Sequence, residues 1–227
     1  MIKNRLTRSF AFGSVLLLAL GVSSAFADQI YTLSIPNAAM SGFTGPFATA
    51  TVHLVNSTQA TVTFDGLDNG GFFYLIGDGS EADVNVNATL FSITGISGTN
   101  SFSGFTPGPY SLPGPGTVSS FGVFNGIVDG FDGFTHSATE VTYTLTDLSG
   151  TWVGASNVLT PNASGYSVAV HSFACQDPCN TTEGAANTGL VANGASPVPE
   201  PTTVSLFGLA GLVALVCRSR KQTLAKN

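Results

Sequence analysis

The most informative absence in this chain is positive charge. Of its 227 residues only 7 are Lys or Arg, against 13 Asp or Glu, and none of the 7 lies between Ser9 and Cys217. Nucleic-acid binding depends on Lys and Arg side chains that neutralise phosphates, so we exclude a nucleic-acid partner. A phosphate-binding P-loop is excluded as well, because it needs a lysine and no GxxxxGK(S/T) motif occurs.

The N-terminus has the composition of a secretory signal peptide. Its basic residues are Lys3, Arg5 and Arg8. An apolar run over residues 10–22 follows, and Ala25 and Ala27 supply the small residues that signal peptidase requires. We therefore predict a signal peptide over residues 1–27, exported through the Sec translocon and removed by signal peptidase. The alternative is an uncleaved anchor helix, since the apolar run nearly spans a bilayer.

The C-terminus holds a second segment with membrane-targeting composition. It begins with a short motif consisting of Val198, Pro199, Glu200 and Pro201. The apolar run over residues 202–217 predicts one transmembrane helix of about 24 Å, short against a hydrocarbon core of about 30 Å. The basic stop after it consists of Arg218, Arg220 and Lys221. The positive-inside rule places this stop in the cytoplasm and the chain before it outside.

This order of proline motif, apolar helix and basic stop resembles the PEP-CTERM sorting signal over residues 198–221. Such signals are read by exosortase, a membrane transpeptidase-like enzyme of Gram-negative bacteria that make exopolysaccharide. The resemblance implies transient residence in the inner membrane, cleavage near Glu200, and arrival at the cell surface or in the extracellular matrix. Residues 222–227 are left as a cytoplasmic tail. The alternatives are a plain anchor and a GPI signal, which normally lacks a basic stop.

The part between these ends is strongly acidic. Residues 28–196 hold 12 Asp or Glu and no Lys or Arg, so their side-chain charge is −12 with His neutral. Alternating Val, Thr and Phe mark strand candidates at residues 30–35, 48–55, 60–64, 71–76, 83–93, 120–124, 140–146 and 167–174. We predict an all-β domain over residues 28–180, an antiparallel β-sandwich or jelly-roll.

Local composition indicates one hairpin and two irregular stretches. The second and third strand candidates are joined by residues 56–59 and predict a hairpin. Residues 104–116 contain four prolines and predict a loop. Residues 181–197 are small and polar, which predicts a flexible linker that lifts the domain off the membrane.

Cys175 and Cys179 are the only cysteine pair outside the membrane segment. An oxidising exported compartment favours a disulfide between them. Two alternatives stay open at this point. The thiols are free, or they join His171 in a metal site whose fourth ligand is not evident from the spacing.

Asp78, Glu81 and Asp83 are weak candidates for a Ca²⁺ site, because Ca²⁺ prefers several oxygen ligands on a flexible loop. They do not match the EF-hand pattern, and solvated carboxylates in a turn are the alternative interpretation. We predict no other metal and no cofactor. Neither Gly-x-Ser-x-Gly nor His-Glu-x-x-His occurs, and we predict that the protein is not an enzyme.

These observations predict a structural or adhesive protein of the exopolysaccharide matrix or biofilm. Exopolysaccharide is accordingly a further candidate partner. The alternative is a secreted module that binds carbohydrate or Ca²⁺. A carbohydrate-binding module needs an aromatic platform, and Trp152 is the only tryptophan in the chain.

Overall fold

The computed structural model describes residues 27–194, which form β-strands and three short 3-10 helices. The strands are β1 (Gln29–Pro36), β2 (Ala48–Asn56), β3 (Gln59–Gly66), β4 (Asp68–Asn69), β5 (Phe72–Ile76), β6 (Asp83–Val84), β7 (Phe91–Thr99), β8 (Gly116–Val118), β9 (Gly122–Phe124), β10 (Glu140–Asp147), β11 (Val168–Gln176) and β12 (Asn187–Asn193). The 3-10 helices are Ala38–Met40, Phe134–His136 and Ala155–Asn157. The predicted all-β class is confirmed.

Ten of the strands form one curled antiparallel sheet, and β8 and β9 form a separate hairpin. The strand order is β4-β5-β11-β12-β1-β2-β3-β10-β7, with β6 paired to β11. Strands β5 and β7 lie near opposite ends of this order, yet Ile76 and Ile93 belong to the same hydrophobic cluster. The sheet therefore closes around a shared core. The observed architecture is one curled antiparallel sheet, and the finer assignment to a sandwich or a jelly-roll stays a prediction.

Alternating side chains explain why these segments are strands. In β10 the side chains of Val141, Tyr143, Leu145 and Asp147 are buried, and those between them are more exposed. Period-two alternation places every second residue on one face of a strand, so an apolar set at that spacing fits a sheet with one buried face. The central strands β11 and β12 are buried over most of their length, as a sheet covered on both faces requires.

The predicted hairpin and the predicted proline-rich loop are both confirmed. β2 and β3 pair antiparallel from Ala48–Gly66 to Asn56–Gln59, and the Asn56 side chain accepts a hydrogen bond from the Thr58 amide at 2.9 Å. Residues 104–115 contain no strand. The only ladder contact there is an isolated bridge between Ser111 and Asp129.

The predicted linker over residues 181–197 is wrong for residues 187–193. These form β12, which lies inside the sheet between β1 and β11. Its small residues serve close packing. An ideal Cβ on Gly189 would lie 2.7 Å from Asn37 Oδ1 and 2.9 Å from Ala39 Cβ, so a larger residue collides with the 3-10 helix that covers the strand.

The strand candidate at residues 83–93 is wrong in its middle. β6 ends at Val84 and β7 begins at Phe91. Between them, the side-chain amide of Asn85 donates to the Thr160 carbonyl at 2.9 Å, and that of Asn87 donates to the Asn157 carbonyl at 2.9 Å. Asparagine side chains offer the backbone partners outside a ladder, which favours irregular structure here.

Within residues 27–194, no helix is long and apolar enough to cross a membrane. The predicted transmembrane helix at residues 202–217 lies outside the described residues, as does the signal peptide except for its last residue.

Candidate functional site

Most of the residues assigned to export and sorting lie outside the described residues, so the structure does not test them. They are Ala25, the sorting motif at 198–201 and the basic stop at 218–221. Ala27 is the first described residue, and β1 begins two residues later. The folded domain thus begins directly after the predicted signal-peptidase site.

The densest group of ionisable side chains lies where two loops meet. We call it the acidic cluster, and its members are Asp78, Glu81, Asp83, Asp129 and Asp132. Residues 77–82 connect β5 to β6, and residues 125–139 connect β9 to β10. Main-chain hydrogen bonds join the two loops. The Glu81 amide donates to the Val128 carbonyl at 2.8 Å, and the Gly130 amide donates to the Asp78 carbonyl at 3.1 Å.

Glu81 is the central residue of the acidic cluster. Its side chain is fully buried, and neither carboxyl oxygen has a hydrogen-bond partner among the described residues. Its Oε2 atom lies against Gly130, where any Cβ would collide with it. Burial, with the charges of Asp78, Asp129 and Asp83, raises the pKa of Glu81 to about 9. With this pKa the carboxyl is protonated at neutral pH.

Asp83 is also fully buried. Its Oδ1 accepts a hydrogen bond from the Val128 amide at 3.1 Å, and its Oδ2 has no partner among the described residues. Burial raises the pKa of Asp83 well above its usual range, although the Val128 hydrogen bond opposes this. Two neighbouring carboxyls are thus held in the interior with three unpaired oxygens.

The other members of the acidic cluster lie nearer the surface. Asp129 Oδ1 accepts a hydrogen bond from the Ser80 amide at 2.7 Å. Asp132 is exposed, and its hydrogen bond to the Asp78 carboxyl raises the pKa of Asp132, with charge repulsion from Asp78 adding to the effect.

His171 is the one basic side chain beside the acidic cluster in the described part of the chain. Its Nδ1 lies 3.9 Å from Asp78 Oδ2 and 3.1 Å from the Gly79 carbonyl. Its Nε2 lies 2.9 Å from the Thr188 hydroxyl. Of the five carboxyl groups, only that of Asp78 lies within 4 Å of this imidazole.

Tyr110 is a member of this environment that the sequence did not indicate. It belongs to the proline-rich loop, and its hydroxyl is buried against Gly98 without a partner in residues 27–194. Burial and the charge of Glu81 raise the pKa of Tyr110. The composition of residues 104–116 predicted a loop, but nothing in it shows which side chains the loop turns inward.

The prediction that these carboxylates are solvated in a turn is wrong for Glu81 and Asp83, since both are buried. The three Ca²⁺ candidates differ in their exposure. Glu81 and Asp83 are buried, whereas the side chain of Asp78 is 29% exposed. Within residues 27–194, no group of three His, Cys, Asp or Glu side chains could hold a metal ion.

Cys175 and Cys179 form the predicted disulfide, with a Cα–Cα distance of 5.4 Å. The free-thiol alternative and the metal alternative are therefore wrong, and His171 is directed to Gly79 and Thr188 instead. The bridge lies in a separate apolar cluster with Leu75, Phe105 and Phe173. It links the end of β11 to the loop that leads into β12.

A second feature is a cleft of about 530 Å³ beside the only tryptophan. We call it the Trp152 cleft. Its lining includes Asn87, Thr89, Asp147, Ser149, Thr151, Val153 and Asn157. Trp152 itself is 3% exposed, and its Nε1 donates to the Asn87 carbonyl at 3.0 Å. Trp152 therefore supports the wall of the cleft and does not present an open face for stacking.

Asp147 is the charged residue in the lining of the Trp152 cleft. Burial favours its neutral form, but hydrogen bonds from the Ser149 amide and hydroxyl and from the Gly150 amide hold the pKa of Asp147 below its usual range. The cleft thus combines one carboxylate with neutral amide and hydroxyl groups. This donor set suits a neutral, hydroxyl-rich ligand better than an anion.

Comparison with known proteins identifies the C-terminal segment. Residues 197–221 match the PEP-CTERM protein-sorting motif, so the sorting signal is present where its residues predicted it. No curated protein and no solved structure matches the chain. The motif supports an exported protein. More particularly, it implies processing by exosortase at the membrane and then delivery to the surface.

Proposed function

We propose that the domain, once released from its sorting signal, is a structural or adhesive component of the exopolysaccharide matrix or biofilm and has no enzymatic activity. The observation that carries this proposal is the match of residues 197–221 to the PEP-CTERM motif. A sorting signal read at the membrane delivers its cargo to the cell exterior. The cargo here is a folded all-β domain with a disulfide, which suits an extracellular environment.

Charge constrains which matrix polymers the domain contacts. The part between the two ends carries a side-chain charge of −12. A protein of such charge repels acidic polysaccharides at low ionic strength. We therefore propose that contact with the matrix is made to neutral polysaccharide or is bridged by cations.

The Trp152 cleft favours a second candidate function, a carbohydrate-binding module. Its volume of about 530 Å³ falls in the range of small-molecule sites, roughly 300–1,000 Å³. Its lining pairs the apolar Val153 with the amide of Asn157 and the hydroxyl of Thr151. Sugars present the same mixture of apolar ring faces and hydroxyl groups.

Processing is tested by replacing the charged residue of the motif. In cells that carry exosortase, Glu200→Ala is expected to leave the full-length protein in the membrane fraction, because the enzyme reads the proline-glutamate-proline segment. Glu183→Ala, which removes an exposed acid inside the domain, is the matched control and should be processed normally. The measurement is the mass of the C-terminus after fractionation. Unchanged processing of Glu200→Ala would exclude exosortase handling through this motif.

Carbohydrate binding is tested through Trp152, whose fluorescence is the only tryptophan signal of the chain. Titration with neutral oligosaccharides is expected to change this emission, and titration with an acidic polymer such as alginate is not. Asn157→Ala should weaken the response, whereas Asn56→Ala in the β2–β3 turn should preserve it. A neutral oligosaccharide series without any response, together with no association of the protein with isolated matrix, argues against both candidate functions.

A further inference from the structure

We propose that the acidic cluster binds one divalent cation of the Ca²⁺ class, with Glu81 as its buried ligand. This goes beyond the proposed matrix role and does not depend on it. The proposal rests on the charge of the cluster, on the unpaired oxygens of Glu81, and on the ligands that the two loops place around them.

The acidic cluster has little opposing positive charge. Two loops bring five carboxyl groups together, and the described chain has no Lys or Arg to oppose them. His171 approaches only Asp78, at 3.9 Å. If these carboxyls were all ionised, they would repel one another strongly, because the local dielectric constant of a partly buried site is low. A divalent cation offsets the repulsion that their ionisation creates, and it is the kind of counter-ion that the sequence itself does not supply.

The Glu81 carboxyl is buried without a hydrogen-bond partner among the described residues. A buried polar group without a hydrogen bond costs free energy, and such groups in folded proteins commonly mark an ordered water or ion. Both carboxyl oxygens of Glu81 are buried and unpaired, and the nearest charged groups are those of Asp78, Asp129 and Asp83. The carboxyl is therefore directed into the acidic cluster and not toward solvent. It is available as a bidentate ligand.

The groups around Glu81 offer oxygen ligands. The main-chain carbonyl of Asp78 lies beside Gly130 and Glu81 Oε2. The Asp83 carboxyl, whose Oδ2 is unpaired, is close enough for its charge to act on Glu81. The carboxyls of Asp78 and Asp132 lie nearer the surface and contribute only if they reorient, since Asp78 Oδ1 accepts a hydrogen bond from the Gly79 amide at 3.0 Å. Ca²⁺ accepts six to eight oxygens at about 2.3–2.6 Å in variable geometry, including main-chain carbonyls and water.

The available ligands decide which metal fits. No three His, Cys, Asp or Glu side chains in residues 27–194 form a group that could hold a metal ion, so a cation here also needs main-chain carbonyls and water as ligands. Ca²⁺ accepts such a mixed set of oxygens in variable geometry, whereas Mg²⁺ requires a nearly ideal octahedron and Zn²⁺ prefers nitrogen and sulfur donors in a closed tetrahedron.

The test uses the full-length protein, purified in detergent and stripped with EDTA. CaCl₂ is added while thermal unfolding is followed by Trp152 fluorescence, and ion stoichiometry is measured by calorimetry. We expect a saturable rise in Tm, one ion per chain, and a much smaller response to MgCl₂. Glu81→Gln should raise the Kd for Ca²⁺ by about tenfold or more. Glu183→Gln makes the same chemical change at an exposed position and should bind as the wild type does.

No response of the wild type to Ca²⁺, or equal responses of the Glu81→Gln and Glu183→Gln proteins, overturns the proposal. Should Glu81→Gln fail to fold, Asp132→Asn replaces it, because this side chain is exposed. It should weaken Ca²⁺ binding several-fold, and unchanged affinity in that variant overturns the proposal equally. C-terminal processing is measured separately, so loss of the ion site and loss of exosortase sorting are distinguishable.

Discussion

At the residue scale, two carboxylic acids, Glu81 and Asp83, are fully buried in the domain. In the sequence they are two acids in a run with Gly and Ser, which is typical of an exposed turn. In the structure the second loop, through Val128 and Gly130, covers them and removes their solvent. Burial of a carboxyl disfavours its charged form, so these residues make the stability of the domain depend on pH.

We predict that the EDTA-treated protein loses stability as pH rises. The pKa of Glu81 is about 9 in the folded chain and has a reference value of 4.5. Its stabilising contribution is fully present below pH 4.5 and is lost progressively as pH rises toward 9, because ionisation is easier in the unfolded chain. The urea midpoint should therefore fall between pH 5 and pH 9.

Two variants test whether Glu81 causes the decline of the urea midpoint with pH. Glu81→Gln keeps the shape of the side chain but cannot ionise, so the decline in the urea midpoint should become shallower, and the part that remains is expected from Asp83. Glu183→Gln should retain the decline. A midpoint that stays level or increases from pH 5 to pH 9 in the unsubstituted protein is incompatible with a buried, uncharged Glu81.

At the element scale, β12 shows why small residues do not always mean a linker. Its composition is close to that of an unstructured segment, and neither strong hydrophobicity nor charge marks it as a strand. Its place is decided by two partners far away in the sequence, β1 and β11, which pair with it on both sides. Gly189 is required because the 3-10 helix Ala38–Met40 approaches the strand closely.

We predict that Gly189→Ala destabilises the domain by about 1–3 kcal/mol, the usual cost of overpacking a tight contact. The added methyl would lie 2.7 Å from Asn37 Oδ1 and 3.0 Å from Met40 Cγ. Gly42→Ala is the matched control, since its Cβ meets nothing within 4 Å. The free energy of unfolding, measured in urea, should decrease for the first variant only. Equal values for both variants would mean that β12 does not pack under the helix.

At the scale of the whole molecule, the distribution of charge separates the domain from its ends. All seven Lys and Arg belong to the predicted signal peptide, the basic stop or the tail, and none belongs to the folded domain. The domain therefore has no Lys or Arg ion pair, and its stability depends on apolar burial and main-chain hydrogen bonds. Its largest hydrophobic cluster joins strands from both ends of the sheet order.

We predict that trypsin does not cut residues 28–217 even after denaturation, because it requires Lys or Arg and the nearest basic residues are Arg8 and Arg218. Endoproteinase Glu-C is the control and should fragment the denatured protein at its acidic residues. Mass spectrometry of the two digests gives the result. Tryptic peptides that end inside the domain would show that the mature protein differs from this chain.

The sequence alone determined the features that depend on local pattern. Short runs of consecutive residues predict the sorting motif, the β2–β3 hairpin and the proline-rich loop. Composition alone shows the absence of Lys and Arg, and the alternation of β10 requires only its own side chains. A disulfide four residues apart is equally local. These predictions succeeded because short-range geometry and composition are sufficient to determine them.

Only the tertiary structure decided the features that join distant segments. β12 becomes a strand because β1 and β11 flank it, and the acidic cluster exists because residues 77–83 and 126–132 are held together by hydrogen bonds across the loops. Tyr110 and the Trp152 cleft are likewise assembled from separate parts of the chain. Burial, pKa and packing depend on what approaches a residue from elsewhere, and no local pattern carries that information.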